Sequence, residues 1–215
     1  EEPALREITI VPVSTPSYSG GHMDGFNDSC VAILEKLAES EDESGGINLF
    51  PGFISPADLR YLKEIMNAFG VEPMVLPDIS DTLDGVIDGS LTRIPVGGTR
   101  PGDIRLAGSS AASLEFGRSI PENQSAALFL EKRFGVRAER LPVPIGIRYS
   151  DLFFDAMERQ TGEAVPENHK NERGRLIDAM VDAHKYVFGK RAAIYGDADF
   201  VIAMTSFLVD LGIQP

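Results

Sequence analysis

The chain has 215 residues, enough for one large domain or two small ones with a buried core. Twenty Lys and Arg against 33 Asp and Glu give a formal net charge of −13, which repels phosphate backbones and anionic lipid and so argues against nucleic acid and membrane as partners. The apolar share of 43% argues against wholesale disorder, no run approaches the roughly 18 apolar residues of a membrane span, and the lone Cys30 supplies neither an internal disulfide nor a thiolate metal cage.

Short Ile- and Val-rich runs alternate with longer helical patterns, which predicts a soluble, cytoplasmic α/β protein with a Rossmann-like parallel sheet and flanking helices. The run from Glu7 to Val13 reads as a buried strand that breaks into the loop Ser14-Thr15-Pro16-Ser17-Tyr18-Ser19-Gly20-Gly21. A helix over 24–39 follows, then a solvated acidic turn over 39–46. Ile47-Asn48-Leu49-Phe50 reads as a strand. Ser55 as N-cap, Pro56 at the first helical position and Asp58 in the first turn then open a helix that runs to Phe69. Gly70 is its C-cap, Met74-Val75-Leu76-Pro77 the next strand, and 78–103 an irregular segment. Helices over 122–134, 149–161 and 168–188 come next. Arg191-Ala192-Ala193-Ile194-Tyr195 reads as a strand, and Asp197 caps a final helix to Leu211.

Phe69-Gly70-Val71, Phe134-Gly135-Val136 and Leu211-Gly212-Ile213 form a weak internal repeat of helix end, glycine and strand start. The third copy has no strand after it, which predicts a truncated piece of a longer, multi-domain subunit. The expected division is a Rossmann-like α/β domain over 1–150. A helical connection and the start of the next such unit would occupy 151–215.

The common catalytic motifs are missing: no G-x-S-x-G, Walker loop, H-E-x-x-H or G-x-G-x-x-G is present. Three features remain. The loop from Thr15 to His22 lies between a predicted strand and a helix, where parallel sheets place ligands, although an ordinary βα connection has the same form. Ser17 and His22 are a nucleophile and a base without a third group to orient them. Asp178 and Asp182, four apart on one helix, can share a hard cation or simply form a solvated face paired with Arg175 and Lys185. The acidic run Asp78-Ile79-Ser80-Asp81-Thr82-Leu83-Asp84 lacks EF-hand spacing and reads as a solvated turn. Leu176, Ile177, Met180 and Val187 are expected to be buried on the helix that carries Asp178.

Several segments together resemble the nitrogenase component 1 family, most closely its β-subunit branch of the molybdenum–iron type. They are Thr15-Pro16-Ser17-Tyr18-x-Gly20-x-His22, Pro51-Gly52-Phe53, Pro77-Asp78-x-Ser80-x-x-Leu83-Asp84-Gly85 and Gly97-Gly98-Thr99. The longest match runs from Glu172-Arg173-Gly174-Arg175-Leu176 through Asp178, Asp182, His184 and Gly189-Lys190-Arg191 to Gly196-Asp197-x-Asp199-Phe200. A scaffold that assembles the iron–molybdenum cofactor shares the opening loop and is the alternative reading.

The resemblance implies a subunit of several Rossmann-like domains in an α2β2 enzyme that reduces dinitrogen. Its partners would be the α subunit, a second β subunit and an ATP-dependent iron protein. It implies a P-cluster (8Fe-7S) in the full complex but not on this chain alone, because the family's β-subunit cysteine ligands precede the Thr-Pro-Ser loop and Cys30 matches none of them. Ser17 matches a serine that ligates the oxidised cluster. Asp178 and Asp182 match carboxylates that bind Ca²⁺ or another divalent cation at the β–β interface. No catalytic residue is implied on this chain, which by itself is expected to be inactive.

Overall fold

The computed structural model describes residues 8–40, 45–85, 89 and 97–215. Among them, four parallel strands form one sheet in the order β2-β1-β3-β4: β1 (Ile47–Phe50), β2 (Met74–Val75), β3 (Ala112–Phe116) and β4 (Arg137–Leu141). Ile47 sits opposite Ala112, and Ala112 opposite Arg137, so β1, β3 and β4 start level.

Among the described residues, seven α-helices pack around or beside the sheet: α1 (His22–Leu37), α2 (Pro56–Ala68), α3 (Pro101–Arg105), α4 (Ala126–Phe134), α5 (Gly146–Thr161), α6 (Glu167–Val187) and α7 (Ala198–Asp210). Alternation along each strand sends side chains to two apolar cores. Ile47, Leu49, Leu114 and Phe116 meet Leu59, Leu62 and Met66 of α2 and Phe153, Ala156 and Met157 of α5 on one face. On the other, Phe50 joins Leu34 of α1, Ile104 of α3 and Leu130 of α4. Each such Leu or Phe contributes about 1.5–3 kcal/mol by leaving water.

The α2 signals act as read. The Ser55 hydroxyl accepts from the Asp58 N–H at 3.1 Å, with Pro56 at the first helical position. The repeated glycines are helix stops: Gly70, Gly135 and Gly212 have φ of 76°, 79° and 77°, the left-handed conformation that ends a helix at little cost only in glycine.

Two predicted strands do not form. Residues 8–13 are irregular, with Ile8 58% and Ile10 72% exposed, and no described strand lies beside them to complete a ladder; Glu7 lies outside the described residues. At Arg191–Tyr195 the pairing is a single parallel bridge between Arg191 and Gln214. Apolar β-branched composition marks a segment that fits a pleated surface, and without a neighbour it stays unpaired. Asp197 occupies the N-cap of α7, but its side chain makes no capping bond. Most of the acidic turn, residues 41–44, lies outside the described residues.

β3, a central strand, gives no sequence signal because it alternates apolar and polar residues that are all buried. The Asn48 amide spans the gap between β1 and β3, donating to Ala107 O at 2.9 Å and Ser113 Oγ at 3.0 Å while accepting from Ser110 Oγ at 2.9 Å. Glu115 accepts from the Ser125 hydroxyl and from the Ala126 N–H at 2.8 Å, binding β3 to the start of α4.

Candidate functional site

The crossover from β1 to β2 runs through α2 on one face, and that from β3 to β4 through α4 on the other. The chain therefore diverges between the carboxyl ends of β1 and β3, the topological switch point where open α/β sheets form a crevice. Phe53, in the loop after β1, stands in this crevice and meets Phe26 of α1 edge to face at 5.9 Å.

On the α1 side of Phe53 the opening loop encloses a polar hollow of about 870 Å³ that takes in Thr15, Pro16, Ser19, Gly21 and Gln124. Tyr18 takes a positive φ of 64°, and the Asp24 carboxylate accepts from the Gly21 N–H at 2.5 Å, which fixes the entry to α1. Ser17 is exposed between Pro16, which lines the hollow, and Tyr18; it follows an irregular segment instead of a strand. Ser17 makes no hydrogen bond to His22 among the described residues. The His22 imidazole instead lies 3.8 Å from Asp197 at the start of α7.

That contact joins two motif segments that are far apart in sequence. Asp199, two residues on in the first turn of α7, accepts from the Arg118 N–H at 2.8 Å and the Ser119 N–H at 3.1 Å, pinning the loop after β3. Sequence reasoning found the residues Asp197 and Asp199 but not this role. The legible signal was a pair of aspartates at the opening of a helix, beside N–H groups that favour negative charge.

Asp178 and Asp182 both lie on α6, exposed, four residues apart. Neither pairs with Arg175 or Lys185, as the sequence reading expects. Arg175 donates to Glu172, and the Lys185 ammonium sits 5.1 Å over the Tyr186 ring. The expected burial on α6 also fails: Leu176 and Ile177 are each 37% exposed, and Met180 and Val187 half-buried. Among the described residues His169, near its start, is the one buried side chain of α6; Arg173 pairs with Asp151 of α5 and His184 of the last turn lies against Gly212, while the stripe of Leu176, Ile177 and Met180 between them stays partly exposed.

The acidic run after β2 is structural. The Lys63 ammonium donates to Asp78 at 2.8 Å, and Arg60 grips Asp84 through two bonds of 2.7 and 3.0 Å. Burial by itself would raise the Asp78 carboxyl. The bonds from Lys63 and Ser80 outweigh it and hold the group below the usual carboxylate range.

The donor set sets limits on metals. Cys30 is 8% exposed in α1, and burial pushes its thiol up to about 12, the opposite of a metal-ready thiolate. Ser17 is the one cluster donor that the resemblance carries onto this chain, and a single hydroxyl beside a buried thiol that matches no ligand position does not by itself fit an iron–sulfur cluster. No group of three or more His, Cys, Asp or Glu side chains is placed to hold a metal ion among the described residues. Asp178 and Asp182 supply two ligand side chains where a hard cation takes six to eight oxygens. No helix among the described residues is long and apolar enough to cross a membrane.

A parallel three-layer α/β unit, with its crevice at the switch point and motif-bearing loops gathered around it, defines a Rossmann-like protein. The family model for nitrogenase component 1 type oxidoreductases matches residues 1–215, and the chain belongs to that family. It is 37% identical over 207 residues to the nitrogenase molybdenum-iron protein beta chain of Clostridium pasteurianum, covering 96% of this chain and 45% of that one. It is 34% identical over 211 residues to the nitrogenase vanadium-iron protein beta chain of Trichormus variabilis, covering 98% and 45%. The solved structure of nitrogenase Cp1 at pH 6.5 superposes with a TM-score of 0.90 at 38% identity, covering 94% of this chain and 44% of that one. The chain thus spans less than half the length of the relatives it matches.

Proposed function

We propose that this chain is part of the β subunit of a nitrogenase component 1. In the full α2β2 enzyme that subunit holds the P-cluster together with the α subunit and relays electrons from an ATP-dependent iron protein for reduction of dinitrogen to ammonia. The reading is carried by the match to the family over residues 1–215, with relatives named as beta chains. Residues 1–150 would be the middle Rossmann-like domain and 151–215 the helical connection to the next. Ser17 would face the oxidised cluster, and Asp178 with Asp182 would contribute to a divalent cation site against a second β subunit. The enzyme would be cytoplasmic, and the 215-residue chain alone inactive.

Co-expression of the parent subunit with a component 1 α subunit and the iron protein tests this reading. The expected result is a co-purifying complex that forms ammonia from dinitrogen only when ATP and the iron protein are supplied. A complex that assembles and carries metal but never turns over would overturn it in favour of a cofactor-assembly scaffold. In the active complex, Ser17→Ala is expected to change the spectrum of the oxidised protein and spare the reduced one; identical spectra in both states would remove Ser17 from the site.

A further inference from the structure

On the other side of Phe53 the same crevice opens into a second cavity of about 710 Å³, at the carboxyl ends of β1, β3 and β4 and between α2, α5 and α6. Its depth is apolar, lined by the buried Leu62, Ile65, Phe116 and Phe153. The size falls within the roughly 300–1,000 Å³ of small-molecule pockets, and the place is where open α/β sheets receive ligands.

The mouth has a different character. Phe53, Tyr61 and Phe200 line the cavity while remaining 63%, 48% and 44% exposed, so aromatic rings meet solvent there. Four carboxylates, of Asp58, Asp151, Asp155 and Glu172, share the lining with two cationic side chains, Lys170 and Arg173. Both cations are engaged: Arg173 with Asp151 through bonds of 2.7 and 2.9 Å, and Lys170 at 3.9 Å from Glu167. Arg175 donates to Glu172 in turn. Two carboxylates are left without a cation. Asp58 accepts only the Ser55 hydroxyl, at 2.7 Å, and the exposed Asp155 has no hydrogen-bond or ion-pair partner among the described residues. His169 also borders the cavity, but its Nε2, although unpaired, is sealed from solvent and does not choose the ligand.

These charges select among ligands. An anion would meet two uncompensated carboxylates and would have to displace existing pairs to reach Lys170 or Arg173. A bare metal ion gains nothing from apolar walls, and no three ligating side chains converge to hold one among the described residues. A neutral molecule uses the walls and leaves the carboxylates idle. An organic cation uses both: its body leaves water for the apolar depth, and its charge stays hydrated at the mouth beside carboxylates and exposed rings. The formal net charge of −13 adds a long-range attraction for cations.

We propose that this cavity binds a small organic cation with an apolar body, the body among Leu62, Phe116 and Phe153 and the ammonium at the mouth against Asp155 and Asp58. The proposal does not depend on the nitrogenase reading, since it uses only the switch-point cavity and the charges around it.

The test titrates the 215-residue chain at pH 7 with 2-naphthylmethylammonium, 2-naphthylmethanol and 2-naphthoate, one ring system carrying positive, zero and negative charge, read by naphthalene fluorescence. The expected result is saturable binding of the ammonium, about fivefold or more tighter than the alcohol, with the naphthoate weakest. The preference for the ammonium over the alcohol is expected to fall about threefold in Asp155→Asn and to vanish in Asp155→Lys. Alcohol affinity should stay within about twofold in both variants, because substitution at an exposed position leaves the apolar depth intact. On the wild-type chain, the Ile65 and Val143 methyl resonances are expected to shift with the ammonium, which places it in this cavity. An equal or reversed order of affinity, no saturable binding, a preference unchanged in Asp155→Lys, or unmoved Ile65 and Val143 methyls would each overturn the proposal.

Discussion

Asp199 and Ser119 lie eighty residues apart, and the carboxylate of Asp199 accepts from both the backbone N–H and the hydroxyl of Ser119. One side chain at the start of α7 therefore sets the course of the loop leaving β3. Asp199→Ala is expected to free that loop at a cost of about 1–2 kcal/mol, because the bonds are to a charged acceptor on a partly solvated surface. Amide hydrogen exchange should accelerate at Arg118 and Ser119 and stay unchanged in β1; protection retained at both amides would refute the role.

Glu115 is a buried carboxylate that closes the start of α4, with Arg140 Nε 3.3 Å away. Glu115→Ala is expected to cost about 3 kcal/mol in urea unfolding, since the Ala126 N–H, the Ser125 hydroxyl and the Arg140 charge all lose a buried partner. Burial pushes this carboxyl up against the opposing pull of Ser125, Ala127 and Arg140. The penalty of the buried charge is thus present above the raised folded value and is relieved as pH falls through it. The deficit of the variant relative to wild type should widen on acidification through that window, and a constant deficit would contradict the assignment.

Asp78 has the opposite sign. Its folded value is lowered, so the stability it contributes is complete above the ordinary carboxylate range and is lost as pH falls through the lowered value. Asp78→Asn is expected to cost about 1–2 kcal/mol at pH 7, through the bonds from Lys63 and Ser80. Denaturant curves of the two proteins should converge at strongly acidic pH. Parallel pH profiles would mean that the pair contributes nothing.

For Asp178 and Asp182, two exposed carboxylates without further ligands are expected to bind Ca²⁺ on the isolated chain with a Kd on the order of 10⁻³ M or weaker. In the proposed assembly, Asp178→Asn with Asp182→Asn should remove a bound divalent cation and weaken β–β contact, with iron content unchanged. Metal analysis alongside gel filtration decides it: an ion at full occupancy in the double variant would leave the pair as a solvated helix face.

Local chemistry made much of this fold readable. Ile47–Phe50 and the Ser55-Pro56-Asp58 opening of α2 carry their instructions within a few residues, and both form where read. β3 was silent because Ser113 and Glu115 look solvent-facing, and only the tertiary partners Asn48 and Ser125 explain their burial. Ile8, Ile10 and the α6 stripe fail in the other direction: the apolar pattern is present, but a pattern cannot say whether a partner surface lies beside it. At the crevice, the residues of the opening loop and of the Gly196-Asp197-x-Asp199 segment were legible one by one. Their meeting through His22 and Asp197 was not, because nothing local encodes a contact over that separation. The unpaired Nε2 of His169 was equally invisible, being a property of its surroundings.

The two outer strands of the sheet carry a consequence for how this chain meets others. β2 is two residues long and runs into Leu76-Pro77, while β4 reads Arg137-Ala138-Glu139-Arg140-Leu141, with Arg137 exposed and Arg159 paired to Glu139. A short rim that ends at proline and a rim fenced by charge both refuse an incoming strand. Lateral growth of the sheet into ribbons is closed at either side, so a crowded solution of this protein should stay free of cross-β fibres even with apolar side chains showing elsewhere. Among the described residues, then, the surfaces left for a companion are those of helices and loops, where side-chain identity, and not the sequence-blind hydrogen bonding of backbone, governs the choice.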